Sequence, residues 1–451
     1  MQKSKDLHVI RGFRGRLMSI KRKAGFILFG GFTASIYPAI LTTLKECQFT
    51  VLVIDDPDPM YYHFLRIRAF DAKHPFWQMD EIVFISPVSQ NTILKQVLAW
   101  ESKYDIRGLC CIEEEFVEIA GIVANCLSVP HPGLHAARVC SDKFLQRTYL
   151  REWSPNFTVL TPRDRQEICS HFHTFPILLK PTKRHSSSGV QLINDQQTLL
   201  SRLSDYEPEE NLLLEEYILG REFSVEALVQ KGVVIFSNIT QKRTREVNNR
   251  FFIPISHTVP AVDLTNDETA NLLRTNQLAL QRLEFQDGIA HAEYRIASDG
   301  RVYLIEIAAR CPGGSIMTLY HLATGKPLES VIINLALGIH TDYPQPQRFA
   351  RQVYLNHYPG FLYDVVITNS FYSSPIWLPL TGVVRALRPG LIDEPATLRT
   401  IIVFKSRGEW LEEVTSGEDR VATYLIDAAQ PDDLDRLEQS LLAAMTVLTT
   451  I

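Results

Sequence analysis

The sequence predicts an α/β (α+β) fold with an N-terminal parallel α/β domain and a β-rich C-terminal lobe. Three observations support this prediction. Apolar strand-like runs alternate with helix-like runs over residues 24–127, which is typical of parallel βαβ units. Short strand-like runs separated by polar turns follow over residues 157–240, and β-rich segments lead from residue 342 to a helix expected at 432–447. Because 451 residues exceed what one core usually organises, we expect two or three packed lobes.

Composition excludes several classes of protein. Hydrophobic residues make up 45% and charged residues 22% of the chain, and no apolar run reaches membrane-spanning length. The net charge of −5 argues against a whole-protein attraction to nucleic acid or to a membrane. Seven cysteines without a CxxC pair fit reduced thiols in a cytoplasm. Residues 1–23 hold eight Lys or Arg and one Asp, so we treat them as a separate basic arm.

Residues 24–130 are predicted to form the parallel α/β domain. The strand "GFILFG", a helix-like run over 35–46 and the strand "FTVLVIDD" form one βαβ unit, and "EIVFISP" and "IRGLCCIEE" continue the alternation. Gly30 and Gly31 do not complete a dinucleotide fingerprint. A plain tight turn is therefore favoured there over a nucleotide site.

Residues 131–217 are predicted to form a second lobe with a phosphate-binding loop. A helix opens after Ser141 or Asp142, either of which is a good N-cap. The strand "ILLK" then ends at Lys180 and runs into a loop that contains Ser186, Ser187, Ser188 and Gly189. Backbone N–H groups of such a loop can approach phosphate oxygens while the lysine supplies charge. The alternative is a hairpin turn with one lysine at its edge.

We interpret the stretch "NLLLEEYILGREFS" as the segment that borders the purine and ribose of a nucleotide, here called the nucleotide edge. It connects this lobe to the next, which is predicted to span residues 218–341. A strand that ends in this way can present a carboxylate, an aromatic ring and free backbone groups to a purine, while a later carboxylate reaches ribose hydroxyls. The alternative is a strand–turn–strand with exposed acids. The candidate residues are Glu215, Glu216, Tyr217, Ile218 and Glu222.

Two strands joined by the turn "ASDG" predict a hairpin that carries Glu293 and Glu306 on one face. Two carboxylates this close repel each other unless a cation lies between them, and Mg²⁺ bridging nucleotide phosphates is the favoured occupant. A surface ladder of Glu and Lys or Arg is the alternative.

Arg310 and His291 are the candidate catalytic residues. Arg310 precedes a Pro-Gly-Gly turn, where a guanidinium can grip a transferring phosphoryl group. Its alternative is a buried arginine that binds loop carbonyls. His291 lies on the face of Glu293 and can reach substrate. A core histidine with satisfied hydrogen bonds is an equal alternative.

The ordered set "SDK", "ILLKP…SSSGV", "LLLEEYILGREFS", "HAEYR" and "YLIEIAARCPGG" resembles the ATP-grasp superfamily over about residues 25 to 451, and within it the carboxylate–amine ligases of the L-amino acid (dipeptide) ligase type. The resemblance implies that Lys143 and Lys180 hold the ATP phosphates. It also implies substrate-binding roles for Glu115, His257, Gly313 and Gly314. One departure is Ala308, where many members carry an Asn ligand, so the number of metal ions stays open.

The resemblance implies a ligase that uses ATP and Mg²⁺, or Mn²⁺, to join a small carboxylate to an amine through an acyl phosphate. Two alternatives stay open. One is a ligase for a larger acceptor such as a peptide, a nucleoside or a protein end, and the other is a non-catalytic ATP-binding regulatory protein. We expect small-molecule partners, no nucleic acid or membrane, a cytoplasmic location and, from similar enzymes, a homodimer. The remaining β-rich lobe is predicted at 342–451.

Overall fold

The computed structural model describes residues 22–56, 59–184, 188–247, 251–368 and 374–450. Most of the basic arm, residues 1–21, lies outside the described residues, as do Ser186 and Ser187 of the predicted phosphate loop. The first strand already begins at Lys23, the last residue that had been placed in the arm.

The N-terminal part is a parallel sheet with helices around it, as predicted. Its strand order is β3-β2-β1-β4. Residues 26–29 and 51–54 have no exposed surface because both faces of this sheet are covered. The strands are β1 Lys23–Phe29, β2 Thr50–Asp55, β3 Glu81–Phe84 and β4 Tyr104–Cys111; the helices are α1 Gly31–Ile36, α2 Ala39–Glu46, α3 Pro59–Phe70, α4 Gln90–Glu101 and α5 Val117–Leu127.

A small antiparallel sheet follows, with strand order β5-β8-β6-β7. Asp142 is the N-cap of the helix that leads into it, since its Oδ1 accepts from the backbone N–H of Phe144 at 2.9 Å. The strands are β5 Phe157–Leu160, β6 Ile177–Pro181, β7 Gln191–Ile193 and β8 Leu212–Glu216; the helices are α6 Leu134–Cys140, α7 Lys143–Tyr149, α8 Arg165–Ser170 and α9 Gln196–Arg202.

A large sheet forms the rest of the described core, with strand order β13-β12-β9-β10-β11-β14-β19-β17-β16. Its members are β9 Gly220–Gln230, β10 Val233–Val247, β11 Phe251–Val259, β12 Gly288–Ala297, β13 Val302–Ala308, β14 Phe349–Tyr354, β16 Ile376–Trp377, β17 Thr397–Val403 and β19 Ala422–Ala428. Because β11 pairs with β14, the β-rich C-terminal segment continues the sheet of the preceding lobe.

Helices and a small third sheet flank the large one. The helices are α10 Asn266–Arg282, α11 Ile316–Thr324, α12 Leu328–Ala336, α13 Leu378–Thr381 and α14 Pro431–Ala444. The third sheet has the order β18-β15-β20, with β15 Gly360–Ile367, β18 Trp410–Leu411 and β20 Met445–Thr450. The expected helix over 432–447 therefore ends early. Residues 445–447 instead pair with β15, where their β-branched members favour a strand.

Candidate active site

The predicted carboxylate pair lies on the β12–β13 hairpin, where Glu293 stands directly opposite Glu306. Lys242 Nζ lies 2.6 Å from Glu293 Oε1, and Lys143 Nζ lies 2.8 Å from Glu306 Oε1. Burial alone would raise the pKa of each carboxyl, but Lys242 at Glu293 and Lys143 at Glu306 outweigh it and hold both pKa values below the usual range. Both groups are therefore carboxylates, and each is paired with a lysine.

Lys143 is brought to Glu306 by the start of α7. Its ammonium also donates to the carbonyl of Arg184 at 2.5 Å. These residues and Glu114 line one small polar cavity between α7, the end of β6 and β13. The cavity thus joins a lysine, a carboxylate and a loop backbone.

Lys180 lies at the end of β6 and is almost fully buried. Its Nζ lies 2.6 Å from Glu215 Oε2, and Arg147 Nε lies 2.7 Å from Glu215 Oε1. Burial lowers the pKa of Lys180 to about 8, although Glu215 opposes the shift. The Glu215 side chain is only 1% exposed. Glu215 therefore forms buried ion pairs with Lys180 and Arg147, whereas the sequence analysis had expected this carboxylate to be presented to a purine.

The described end of the predicted phosphate loop contains Ser188 and Gly189. Gly189 has a φ of +73°, a conformation that favours glycine. Arg184 precedes the loop and forms a two-point ion pair with Glu210 at 2.8 and 2.6 Å. This pair fixes the backbone whose carbonyl receives Lys143.

The remaining nucleotide-edge candidates follow β8. Glu216 accepts from the side-chain amide of Asn156 at 2.8 Å and is exposed. The carbonyl of Ile218 accepts from Arg295 NH1 at 2.9 Å, and the same guanidinium lies 5.6 Å from the ring centre of Tyr217. Arg295 thus orders the segment that the sequence analysis assigned to adenine.

Glu222 lies next to this segment on β9, paired in register with Lys242 of β10 and with Arg295 of β12. Its carboxylate contacts Lys242 Nζ at 3.0 Å and Arg295 NH2 at 3.1 Å. Sequence reasoning missed both cations. The only signal was the strand "TQKRTREV", whose alternation places Lys242 on the same face as its cross-strand acids.

Arg310 is ion-paired through Nε with Glu114, and its NH1 donates to the carbonyl of Cys311 at 2.7 Å. The residue beside it, Glu115, is exposed. Glu115 stays a prediction as the acid that binds the substrate amino group, while its neighbour Glu114 is the acid that pairs with Arg310. Residues 114–116 form a 3₁₀ turn, which directs neighbouring side chains differently from an α-helical turn.

His291 lies between two carboxylates. Nδ1 is 2.8 Å from Glu226 Oε1, and Nε2 is 3.3 Å from Glu293 Oε1. Burial opposes its charge, but these two acids outweigh burial and raise the pKa of His291 to about 9. Both ring nitrogens are engaged within the protein. This geometry corresponds to the alternative of a satisfied buried histidine, here one that touches a candidate metal ligand.

His257, Gly313 and Gly314 lie around β11 and β14. His257 is buried, and burial together with nearby Lys242 lowers its pKa to about 3, so the ring is neutral. Gly313 and Gly314 are exposed, and a Cβ atom at Gly314 would lie 3.1 Å from the Tyr354 hydroxyl. His257 also contacts the Tyr354 ring at 6.0 Å between centroids. The structure thus brings these candidates to one neighbourhood, with Tyr354 between them.

Ala308 faces His291 in the hairpin register and offers no ligand atom in its side chain. Among the described residues, no group of three or more His, Cys, Asp or Glu could hold a metal ion. Glu293 and Glu306 can still suit Mg²⁺, because this ion commonly uses one or two carboxylates and completes its shell with phosphate oxygens and water.

Comparison with known families identifies the segment that carries most of these residues. Residues 173–319 match the family model described as the ATP-grasp domain. This segment is an ATP-grasp domain. It includes Lys180, the Glu293–Glu306 pair and Arg310, whereas Lys143 precedes it.

Two relatives with named activities match parts of the chain. Dapdiamide A synthase of Enterobacter agglomerans is 28% identical over 160 residues, which are 34% of this chain and 36% of that protein. Alanine–anticapsin ligase of Bacillus subtilis (strain 168) is 22% identical over 330 residues, 66% of either chain. The chain thus spans less than two thirds of both relatives.

The likeness in three dimensions extends beyond the ATP-grasp segment. The crystal structure of the L-amino acid ligase from Bacillus licheniformis superposes with a TM-score of 0.72 at 16% identity, and covers 96% of this chain and 100% of that chain. Phosphoribosylglycinamide synthetase from Anaerococcus prevotii gives a TM-score of 0.65 at 14% identity, covering 95% and 100%. The predicted ATP-grasp fold is thereby confirmed.

The described residues contain no helix long and apolar enough to cross a membrane.

Proposed function

We propose that this protein is an ATP-dependent carboxylate–amine ligase that forms an amide or peptide bond and releases ADP and phosphate. The observation that supports this proposal most is the pair of facing carboxylates, Glu293 and Glu306, each held by a lysine. Arg310 follows on the same strand end, where it pairs with Glu114 of the N-terminal domain. The named activities of dapdiamide A synthase and alanine–anticapsin ligase point the same way.

ATP would lie between the small sheet and the large sheet. Lys143, Lys180 and the loop 186–189 would bind its phosphates, while the carbonyl segment 216–218 would border the adenine and Glu222 the ribose. Glu293 and Glu306 would hold Mg²⁺ or Mn²⁺. When bound, that ion would neutralise charge on the phosphates.

The chain's own groups would act by positioning and by charge. The γ-phosphorus–oxygen bond to ADP breaks as a substrate carboxylate oxygen bonds to phosphorus, which gives an acyl phosphate. Lys143 and Lys180 would balance the negative charge of the phosphates, and Arg310 would hold the transferring group. An amine nitrogen then attacks the acyl carbon, loses a proton and expels phosphate. No covalent bond to the protein forms.

Amino acids or a small biosynthetic acid are the proposed substrates, since the relative alanine–anticapsin ligase is named for joining an amino acid to a second small molecule. We place the protein in the cytoplasm because its seven cysteines are all free. A homodimer stays a prediction.

The test is phosphate release from ATP and Mg²⁺ across amino acids offered singly and in pairs, with mass spectrometry of the products. We expect ADP, phosphate and a new amide with at least one pair, and loss of all three in Glu306→Gln. Glu329→Gln is the matched control, because Glu329 is a buried glutamate of α12 outside the candidate site. ADP binding without any amide product, across free acids, amines and peptides, would favour the regulatory alternative.

A further inference from the structure

Glu226, at the middle of β9, was not singled out by the sequence, yet it is the most heavily hydrogen-bonded carboxylate beside the candidate metal site. Its side chain is 1% exposed. Register places it opposite His291 of β12 and Asn238 of β10, two residues beyond Ser224 on the same strand. It therefore lies on the same face of β9 as Glu222 and next in register to the Ser224–Glu293 pair.

Four groups donate to this one carboxylate. Oε1 accepts from Ser224 Oγ at 2.8 Å and from His291 Nδ1 at 2.8 Å. Oε2 accepts from Thr240 Oγ1 at 2.5 Å and from the Tyr320 hydroxyl at 2.9 Å. A buried carboxylate needs such partners because burial otherwise disfavours its charge. With both oxygens doubly held, Glu226 is a fixed anchor for the His291 ring.

The other side of the ring reaches the candidate ligand. His291 Nε2 lies 3.3 Å from Glu293 Oε1, the oxygen that also receives Lys242 Nζ at 2.6 Å. Within the described part of the chain, Glu293 Oε2 has no hydrogen-bond partner. The hydrogen bonds from Glu226 through His291 thus engage Oε1 of Glu293 and leave its Oε2 available to a cation.

We propose that Glu226 is a positioning residue for the metal-binding carboxylate Glu293, acting through His291. The inference rests on the proposed function, because it takes Glu293 as a metal ligand. Partners that orient a ligand from outside the coordination shell commonly change metal affinity by about 10- to 100-fold when they are removed. A purely structural Glu226 would change stability and leave the metal contribution to nucleotide binding unaltered.

The experiment measures ADP affinity by calorimetry, once with Mn²⁺ and once with EDTA, and takes the ratio of the two dissociation constants. In the full-length protein we expect Mn²⁺ to tighten binding. Glu226→Gln keeps the size of the side chain but removes its charge, and should reduce that ratio about tenfold while affinity in EDTA stays unchanged. Glu329→Gln, the same substitution at another buried glutamate, should leave the ratio at the wild-type value.

A Glu226→Gln protein that folds and keeps the wild-type ratio overturns the positioning role. If that variant does not fold, Thr240→Val decides, because it removes one donor to Glu226 at nearly constant volume. Thr240→Val should reduce the ratio by about threefold, which on a logarithmic scale is about half of the tenfold reduction expected for Glu226→Gln. An unchanged ratio overturns the proposal. Wild-type protein that binds no ADP overturns the proposed function as well, so the two failures are distinguishable.

Discussion

The ammonium of Lys180 is held among charged groups with almost no contact with water. Glu215 binds it directly, while Arg147 and Lys143 lie near enough to oppose its charge. Burial is the largest influence, and it lowers the pKa of Lys180 from 10.5 to about 8. In the unfolded chain this lysine keeps its proton up to about pH 10.5. Below pH 8 the lowered pKa in the folded protein therefore reduces the free energy of unfolding. The free energy of unfolding recovers this loss as the pH rises from about 8 to 10.5.

Nucleotide binding should report the same shift. If Lys180 binds phosphate as a cation, ADP affinity measured in EDTA should be constant up to about pH 8, the pKa of Lys180 in the folded protein, and then fall by up to about tenfold per pH unit. Lys180→Arg keeps a charged group throughout, since arginine is not deprotonated in proteins, and should flatten the profile. Calorimetry between pH 7 and about 9.5 checks this. A wild-type profile without a fall above pH 8 would contradict the phosphate role.

Sequence reasoning at this scale succeeded where the information was local. Lys180 ends a strand, and Glu293 and Glu306 share a hairpin, so short-range pattern was enough. It did not identify Glu114, because which acid of the run 113–115 faces Arg310 depends on one 3₁₀ turn. It also missed Lys242, because its partners come from strands that are distant in sequence.

The loop after β13 carries a second testable feature. Gly314 has a φ of +63° and its missing Cβ would press on the Tyr354 hydroxyl and Gln352, whereas Gly325 has a φ of +78° and open space around it. Both positions strain any other residue, but only the first lies among the substrate-site candidates.

We therefore expect Gly314→Ala and Gly325→Ala to lower the free energy of unfolding similarly, by about 1 kcal/mol each, because both force alanine into a left-handed conformation. Only Gly314→Ala should also reduce amide formation, by about tenfold, which corresponds to ~1.4 kcal/mol. Urea denaturation and product assays on the two variants check this. Equal activity of the two variants would remove Gly314 from the substrate site.

Element boundaries were predictable where one pattern dominated. The amphipathic pattern over residues 267–285 predicts a helix, and α10 is observed at Asn266–Arg282 with a Thr265–Glu268 capping box at its start. The end of α14 was not predictable, because residues 445–447 choose between extending a helix and pairing with β15. That choice depends on a strand about 80 residues earlier, so tertiary pairing outweighs local propensity.

At the scale of the molecule, the large sheet joins segments that composition alone separates. The break at Pro344 and Pro346 suggested a separate C-terminal lobe, but β14 pairs with β11 on one side and β19 on the other. The order of strands in a sheet is set by long-range pairing, which a single sequence does not reveal. The alternation of the N-terminal domain was predictable because each βαβ unit is local.

The basic arm allows a test of acceptor size. The candidate site residues lie between 114 and 314, and β1 begins at Lys23. Deleting residues 1–21 should therefore leave amide formation from free amino acids within about twofold of the full chain, a difference below ~0.5 kcal/mol. A control that replaces the lysines and arginines of the arm by glutamine separates charge from length. Loss of turnover in both variants would show that the charge of the arm is required, as the alternative of a larger acceptor expects.

The two lysine–carboxylate pairs have a consequence for the order in which ligands enter. Lys143 Nζ contacts Oε1 of Glu306, and Lys242 Nζ contacts Oε1 of Glu293. Under the proposed function, a cation that arrives alone meets the positive charge of both ammonium groups, and phosphates that arrive alone must compete with Glu306 for Lys143. If they arrive together, the cation would bind the carboxylates while the phosphates bind Lys143. The affinities for metal and nucleotide would then be reciprocally coupled, each raising the other by the same factor.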